Sequence, residues 1–514
     1  MDNHQLVAYP NTDNGKDSRM VRCISPLELL LPDGIAKLPV VLGSNLPIHL
    51  LPEVYSTDSN QTDFAILAPT AAQCRTNGWL EEAVRSLAQA LAPDGLLYAF
   101  VPRRFRLPIT SLMRDYNLSV GPFLAHLPNP ASNRYLVPLN PITIRYTLAN
   151  ILSASPQKQR LATLAFSLFK SQELIFSMLP FVGIVARRAD ARPLFDWLFK
   201  LGNDSNSIGN AVIRTRWRAN KGTAVLFRFP DGNALPDAAA KVSLVAPLST
   251  KTPREAEIIT RTGSSAHSAG ARVPKALAEH QIEGHTVVLQ TLLNGQSAAA
   301  LLFSQPKRLP LFMGHVTQWL DHWNRATAIL KPLDGERLDQ ELIAPAKLLE
   351  PYIEEGREYR DWLTARCNAA IGTTIPFVTA HGDLTMSNLL FDEHEQIGII
   401  DWEASVSEAL PLTDFFYAAA DAAAATRGYV DRVKAFQSCF MPGGSYVEAI
   451  KHFQTNLRRS LKIPPDVADL CFHACWLRHA ANEYRSDPPN RRRFINVVRF
   501  LAAHRSDTIS WMQT

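Results

Sequence analysis

A polar loop between two apolar runs constrains this chain more than any other part of its sequence. The segment HGDLTMSNLLFDEHEQIGIIDWE extends from His381 to Glu403. Asp383 and Asn388 lie five positions apart in it, and Asp401 follows the second apolar run. In phosphoryl transfer a carboxylate must orient the attacking hydroxyl, and carboxylate and amide oxygens are the ligands that Mg²⁺ prefers. The loop therefore indicates chemistry on a charged substrate beside a metal ion.

The elements expected around this loop form a strand-rich lobe followed by a helix-rich lobe. Residues 201–295 contain most of the short apolar runs, and residues 296–514 are mainly helical in spacing. This order is the layout of a kinase, and His-x-Asp-Leu-x-x-x-Asn is the spacing of the kinase catalytic loop. In the first lobe the pattern predicts strands over 211–217, 223–229, 238–245 and 285–293, and a helix over 252–262.

The same motifs resemble one family of small-molecule kinases. HGDLTMSNLL followed by IIDWE is similar to the aminoglycoside phosphotransferase and choline kinase family, which has Gly where protein kinases have Arg after the His. The resemblance is specific over 380–418 and looser from about residue 205 to the C-terminus. It implies a bilobal protein-kinase-like domain, ATP or GTP as donor with Mg²⁺, and an alcohol group of a small molecule as acceptor.

The resemblance also implies a role for each polar residue of the loop. Asp383 would be the catalytic base, and Asn388 and Asp401 would be metal ligands. Glu403 would assist the metal site through water. His381 would support the loop backbone.

The first lobe should supply a lysine for the α- and β-phosphates and a glutamate that holds this lysine. Lys241 lies among small and apolar residues in AAAKVSLV, where an ammonium is costly to bury unless it is paired. Glu255, early in the next helix, is the expected partner, because Glu257 points to a different face. The alternative is that Lys241 extends to solvent from an edge strand.

The resemblance also assigns roles to three further segments. VVLQTLLNG is similar to the family's hinge, so Gln290 and Leu292 should line the adenine pocket, with Gly295 turning the chain toward the next helix. SNSIGNAVI should form the turn over the phosphates, and Gly209 is its only glycine. Asp414, in EALPLTDFFYA, would anchor the catalytic loop.

The chain length, net charge and cysteine count exclude few protein classes. A chain of 514 residues is too long for one core, so we expect two or three domains. The net charge of +5 does not require nucleic acid as a partner. Six scattered cysteines, and an N-terminus without a signal peptide's apolar core, favour a reducing, cytoplasmic setting.

The first 150 residues have the pattern of an α/β domain. A strand over 62–70, a helix over 79–95 and a strand over 96–102 predict a parallel crossover. This Rossmann-like unit resembles the later half of a class I methyltransferase domain, over about 62–140. Its candidate cofactor turn has one glycine, Gly43, so we interpret residues 1–150 as degenerate or structural rather than as an active methyltransferase.

Residues 151–200 are predicted to be a helical linker, with a boundary near Leu201. Within it, LIFSMLPFVGIVA (174–186) is apolar but short for a membrane span. Residues 161–188 could contact a bilayer from one side, or form a buried helical hairpin between domains.

Other polar patterns have structural explanations. Cys471, Cys475 and His479 are spaced to share one helix face, where a soft metal could bind, but a buried helix explains them better. The basic residues of RTRWRANK alternate as in a hairpin, so we do not expect nucleic-acid binding. Arg491 to Arg493 form either a solvated face or a surface that meets an acidic acceptor.

Three functions fit these observations. The main hypothesis is an ATP-dependent small-molecule kinase that acts on an unidentified hydroxyl. The second is a non-catalytic pseudokinase scaffold, against which the complete set of polar residues argues. The third is a bifunctional methyltransferase–kinase. The sequence does not determine the oligomeric state.

Overall fold

The alternating and continuous apolar runs form a long mixed sheet, which precedes a mainly helical lobe. The protein is represented by a computed structural model that describes residues 26–31, 33, 39–42, 62–76, 78–127, 135–152, 179–201, 209–218, 221–244, 251–282, 284–486 and 492–505. Gly43 lies outside these residues.

The strands of the described part are listed here in chain order. They are β1 (Pro39–Leu42), β2 (Thr62–Leu67), β3 (Leu91–Pro102), β4 (Leu118–Leu127), β5 (Tyr135–Pro138), β6 (Phe181–Arg188), β7 (Gly209–Arg218), β8 (Lys221–Pro230), β9 (Ala238–Ser243), β10 (Ala276–Ile282), β11 (His285–Thr291), β12 (Gln296–Ser297), β13 (Ile329–Pro332), β14 (Thr374–Ala380), β15 (Leu389–Phe391), β16 (Ile397–Ile399) and β17 (Val406–Ala409).

The α-helices of the described part are also listed in chain order. They are α1 (Trp79–Ala90), α2 (Arg106–Asp115), α3 (Pro141–Leu152), α4 (Asp196–Lys200), α5 (Lys251–Ser268), α6 (Ala298–Ser304), α7 (Leu309–Thr327), α8 (Gly335–Leu338), α9 (Ala344–Leu349), α10 (Gly356–Ala370), α11 (Thr413–Thr426), α12 (Arg432–Phe440), α13 (Val447–Ser460), α14 (Pro465–Ser486) and α15 (Arg493–Ala503).

Eleven strands form one sheet in the order β1-β2-β3-β6-β4-β5-β7-β8-β9-β11-β10. β1, β2 and β3 are parallel, and α1 connects β2 to β3, so the predicted crossover is present. The later neighbours in the sheet pair antiparallel. The Rossmann-like assignment and the methyltransferase resemblance stay predictions.

The predicted helical linker over 151–200 is wrong where β6 lies. β6 pairs with β3 on one side and β4 on the other, and Val182, Ile184, Val185 and Ala186 are buried. A strand covered on both faces has a continuous apolar run, and its periodicity does not separate it from a buried helix.

Strand β6 also tests the two interpretations of the apolar segment, a contact with a bilayer and a buried helical hairpin, for the residues that the structure describes. Residues 181–188 cannot form a helical hairpin, and their buried side chains leave no apolar surface for a bilayer. Residues 161–178 lie outside the described part of the chain. None of the described helices combines the length and apolar character that crossing a membrane requires.

The sheet continues across the predicted boundary near Leu201. β5 pairs with β7 through Tyr135 opposite Arg214 and Leu136 opposite Ile213. One core cluster joins Phe195, Leu198 and Phe199 to residues of β7, β8, β9 and β11. The division into 1–150, 151–200 and 201–514 therefore stays a prediction, and the two sides of residue 201 share a core.

The helix-rich lobe is organised around a separate core. That core includes Trp319, Trp323 and Trp402, which are fully buried and in ring contact with one another. Two three-stranded sheets, β12-β15-β16 and β13-β14-β17, lie in this lobe. Strands β14, β15 and β16 carry the polar loop between them, so the packing of this lobe determines where the loop lies.

Candidate active site

The polar loop extends from the end of β14 to the start of β15. Gly382 has a φ of +81°, and a Cβ atom there would collide with the carbonyl oxygen of Ala404. Glycine is therefore required by both the left-handed backbone and the close approach of the next loop. Ser405 donates from Oγ to the carbonyl oxygen of Ala380 at 2.7 Å, which ties the two loops together at the same point.

Two carboxylates on α11 hold the loop backbone at both ends. Asp414 accepts hydrogen bonds from the N–H of His381 at 2.6 Å and of Gly382 at 2.9 Å. The predicted anchoring contact of Asp414 is therefore present. Asp421 accepts from the N–H of Met386 at 2.7 Å. Charged acceptors make stronger hydrogen bonds than neutral ones, so the two carboxylates fix the loop conformation.

Sequence reasoning missed Asp421, although its signal was present. Asp421 follows Asp414 by seven residues, or two helical turns, so both project from one face of α11. Asp421 is fully buried, where Arg432 lies 2.7 Å from one oxygen and the hydroxyl of Tyr429 lies 3.1 Å from the other. These partners offset the cost of burying its charge.

His381 connects the catalytic loop to the segment that carries Asp401. Its Nε2 lies 3.0 Å from the carbonyl oxygen of Ile400 and must donate there, while Nδ1 accepts from the N–H of Asp383 at 3.3 Å. Burial lowers the pKa of His381, which favours this neutral tautomer. The imidazole therefore braces the backbone, as predicted.

The local backbone also determines how Asn388 and Asp401 are presented. Asn388 donates from Nδ2 to the carbonyl oxygen of Asp383 at 2.9 Å, which leaves Oδ1 as the atom that can face a cation. Asp401 follows β16 with a φ of +69°, a region that residues with a Cβ seldom adopt. Such a conformation at the end of a strand is common where a side chain must be presented.

Lys241 brings the two lobes together at one charged cluster. β9 lies between β8 and β11, so the edge-strand alternative for Lys241 is wrong. Its Nζ lies 2.7 and 2.8 Å from the two carboxylate oxygens of Glu255 and 2.8 Å from Oδ1 of Asp401. The expected partner, Glu255, is therefore correct. Glu257 is 70% exposed and faces Arg261 instead.

The electrostatics of this cluster favour the charged lysine. Burial alone would lower the pKa of Lys241, but the carboxylates of Asp401 and Glu255 outweigh it and hold that pKa above its usual value. Burial also raises the pKa of Glu255, and the Lys241 charge opposes that rise. We conclude that the ammonium keeps its positive charge inside the protein.

The acidic residues around Lys241 form a donor set suited to a hard cation. One carboxylate oxygen each from Glu255, Asp401 and Glu403 lies within 4.8 Å of the others. Oxygen donors of this kind suit Mg²⁺ rather than a softer metal. The residues present therefore fit the ion that the resemblance implies. Glu255 was expected only as the partner of Lys241, and its place in this group is a finding.

Gly209 does not lie in the turn over this cluster. It begins β7, opposite Pro230, five residues from Arg214, which lies across β8 from Lys241. A Cβ atom at Gly209 would collide with the Phe229 carbonyl oxygen, so packing explains the glycine. β7 and β8 are joined through residues 219–220, which lie outside the described part. Gly209 therefore lies in a strand and not in the expected turn, and its contact with a nucleotide stays a prediction.

The two predicted hinge residues lie at the end of β11. Gln290 pairs with Ala239, two residues from Lys241 along β9, so both side chains share one face of the sheet. Gln290 is buried, and within the described residues its Oε1 has no hydrogen-bond partner. Leu292 follows the strand and is half-buried. Their contact with a nucleotide remains a prediction.

The helix α14 packs into the core, which agrees with the structural explanation of its cysteines. Cys471 and Cys475 are fully buried. The ring of His479 stacks on Tyr417, with their centroids 3.7 Å apart. Among the described residues, their ligand atoms do not converge as those of Glu255, Asp401 and Glu403 do.

A cavity of about 790 Å³ lies beside the hinge but apart from this cluster. Its ion pairs are internal, since Arg272 contacts Asp392 and Arg308 contacts Glu395. Neither the catalytic loop nor the Lys241 cluster contributes to its lining.

The C-terminal part of the chain matches one known enzyme family in sequence. Residues 215–444 match the model of the phosphotransferase enzyme family (APH), which confirms the predicted resemblance for this part of the chain. Comparison with curated protein sequences found no match.

Solved structures similar to the chain include several aminoglycoside phosphotransferases. The GDP and kanamycin complex of APH(2")-IIia has 12% identity, covers 59% of this chain and 92% of that chain, and gives a TM-score of 0.36. APH(3'')-Id from Streptomyces rimosus has 15% identity, with 51% and 91% coverage and a TM-score of 0.32. A thermostable mutant of APH(4)-Ia with AMP-PNP and hygromycin B has 11% identity, with 58% and 93% coverage and a TM-score of 0.33. The resemblance to the family rests on the sequence match over residues 215–444, not on these structural similarities.

Proposed function

We propose that this chain transfers the γ-phosphate of ATP or GTP to a hydroxyl group of a small molecule, with Mg²⁺. One observation supports this proposal above the others. Lys241 of the strand-rich lobe contacts Glu255 of α5 and Asp401 of the helix-rich lobe at the same time. A phosphate-binding lysine, the glutamate that holds it and a metal-binding aspartate must meet in this way for phosphoryl transfer.

Each side chain has a distinct task in the proposed reaction. Asp383 accepts the proton of the acceptor hydroxyl as its oxygen bonds to the γ-phosphorus. The bond from that phosphorus to the oxygen of the β-phosphate breaks, and the nucleoside diphosphate leaves. Lys241 meets the α- and β-phosphates, while Gln290 and Leu292 border the base.

The metal would be held by Asn388, Asp401 and Glu403, and the last two of these belong to the carboxylate cluster described above. When bound, Mg²⁺ neutralises charge on the phosphates. The loop anchors Asp414 and Asp421 keep Asp383 in position without touching the substrates.

The proposal is tested by replacing the base. Asp383→Asn should reduce phosphate transfer by about 10²–10⁴-fold, the usual contribution of a general base. Asp231→Asn, in the exposed turn after β8, is the matched control and should behave as the wild type. Nucleoside triphosphate consumption is measured with a mixed metabolite pool as acceptor. Full turnover by Asp383→Asn would refute the role of Asp383.

A scaffold function and a bifunctional enzyme are distinguished by separate measurements. Slow nucleotide hydrolysis without acceptor, lost in Asp401→Asn, would favour catalysis over a pseudokinase scaffold. Binding of a labelled methyl donor to the full chain would favour the bifunctional alternative.

A further inference from the structure

One arginine beside the polar loop has no acidic partner among the residues that the structure describes. Arg478 lies on α14 and is half-buried. Its Nη2 is 3.4 Å from the carbonyl oxygen of Gly382, the residue directly before Asp383. Among the described residues this long contact is its only hydrogen bond, and no carboxylate lies within ion-pair distance. A guanidinium has five N–H donors, so most of its binding capacity is unused.

Several other partly buried arginines of the same lobe are paired with carboxylates. Arg360 contacts Glu350, Arg366 contacts Asp469, and Arg432 contacts Asp421. A cation withdrawn from water is normally compensated by a carboxylate. Among the described residues Arg458, like Arg478, has only a carbonyl partner, but it contacts Ile463, whereas Arg478 contacts the residue directly before Asp383.

Two neighbouring residues, His479 and Tyr417, supply no negative charge to Arg478, and the nearby carboxylate of Asp383 makes no ion pair with it among the described residues. The next residue, His479, is buried, and its pKa is lowered by burial and then by the charges of Arg478 and Arg432, so it stays neutral. Tyr417, stacked on His479, keeps its proton, because burial and then the charges of Asp383 and Asp421 raise its pKa. The effect of the Asp383 charge on the pKa of Tyr417 also indicates that Asp383 lies close to these residues.

We infer that Arg478 binds an anionic group of the acceptor, a phosphate or a carboxylate. This inference rests on the proposed function. The acceptor is then a hydroxyl compound that carries a negative charge, and an amine-bearing acceptor would be repelled from the same position. Arg478 orients the acceptor so that its hydroxyl meets Asp383, which takes the proton as the oxygen bonds to the γ-phosphorus and the β-phosphate oxygen leaves.

The γ-phosphate of the nucleotide offers the same chemistry and is the competing source of the anion. A titration with inorganic phosphate separates the two. The full chain is first saturated with Mg²⁺ and AMP-PNP, and phosphate binding is then measured by calorimetry. We expect the wild type to bind phosphate at least 10-fold more tightly than Arg478→Gln, with partial recovery in Arg478→Lys.

Arg485→Gln is the matched control, since Arg485 is exposed on the same helix. It should bind phosphate as the wild type does. Equal phosphate binding by wild type and Arg478→Gln would overturn the inference. Weaker AMP-PNP binding by Arg478→Gln, with phosphate binding unchanged, would place Arg478 on the nucleotide and overturn it equally. Thermal unfolding of each variant shows that the fold is retained.

A transfer experiment gives the second test. A metabolite pool is divided by ion exchange into anionic, neutral and cationic fractions, and label from γ-labelled ATP is followed into each. Label should enter the anionic fraction, and Arg478→Gln should raise the KM for that fraction. Label in the cationic fraction would overturn the inference but leave the proposed function standing. If no fraction is labelled and nucleotide turnover is independent of Asp383, the proposed function fails, while the phosphate titration still decides whether Arg478 binds anions.

Discussion

The two halves of the eleven-stranded sheet differ in strand direction and in the side chains that cover their faces. In the N-terminal half, one face carries Phe64, Ile66 and Tyr98 and the other carries Ala65 and Leu97, and both faces are buried in apolar clusters. In the strand-rich lobe, Ala240, Val242 and Leu289 are buried on one face, while Lys241 and Gln290 project from the other. Polar chemistry is found where a second lobe, not an apolar helix, covers the sheet.

This comparison depends on the two halves being one structural unit, which deletion would test with the largest effect. Removing residues 1–200 takes away β5, the neighbour of β7, and the buried side chains of Phe195, Leu198 and Phe199. We expect the remaining chain to lose cooperative unfolding and to aggregate, because a long strand edge and an apolar face become exposed. Calorimetry and gel filtration measure this. A monomeric fragment with the melting temperature of the full chain would show that the halves are independent.

Substitutions of Lys241 and Arg228 in the strand-rich lobe test whether a buried cation serves chemistry or stability. Lys241→Met should reduce turnover by about 10²-fold or more, because the phosphates lose a preorganised charge. Arg228, paired with Asp237 and the carbonyl oxygen of Leu201, lies toward the N-terminal half. Arg228→Met should lower the free energy of unfolding by about 3–5 kcal/mol, since it leaves a carboxylate without its partner.

The measurements for this pair are kcat/KM for ATP and chemical denaturation. Arg228→Met, assayed where it remains folded, should keep the wild-type KM for ATP. If both variants lost stability equally and neither changed turnover, Lys241 would be a structural residue of the same kind as Arg228.

The loop anchors should give the smallest effect. Asp414→Asn weakens the charged acceptor of the His381 and Gly382 N–H groups, and we expect a loss of about 1.5–3 kcal/mol in the free energy of unfolding. If the anchors act only on the loop backbone, kcat should fall while the KM for ATP changes little. Asp421→Asn should act in the same way at the other end of the loop, with a larger loss of stability because Arg432 also loses its charged partner. A large rise in the KM for ATP with unchanged kcat would contradict this positioning role.

The sequence predicted those parts of the site that depend on local spacing or on elementary electrostatics. The loop from His381 to Asn388 could be predicted because a single turn between two strands sets its geometry. The Lys241–Glu255 contact could be predicted because a buried ammonium needs a partner. Asp401 could be placed at a strand end, but not in contact with Lys241, since that contact joins elements 160 residues apart.

The failures have physical causes as well. β6 was missed because a strand that is covered on both faces has no alternation of polar and apolar residues. Gly209 was expected in a turn but lies in a strand, because the glycine content of a segment does not fix the hairpin register. Arg478 could not be predicted, because the inference about it depends on its having no carboxylate partner among the described residues, which is a property of the tertiary structure.

The ladder between β5 and β7 has a mechanical consequence. Because β5 and β7 are hydrogen-bonded neighbours, any rotation of the strand-rich lobe relative to the helix-rich lobe would carry the strands on both sides of residue 201 with it.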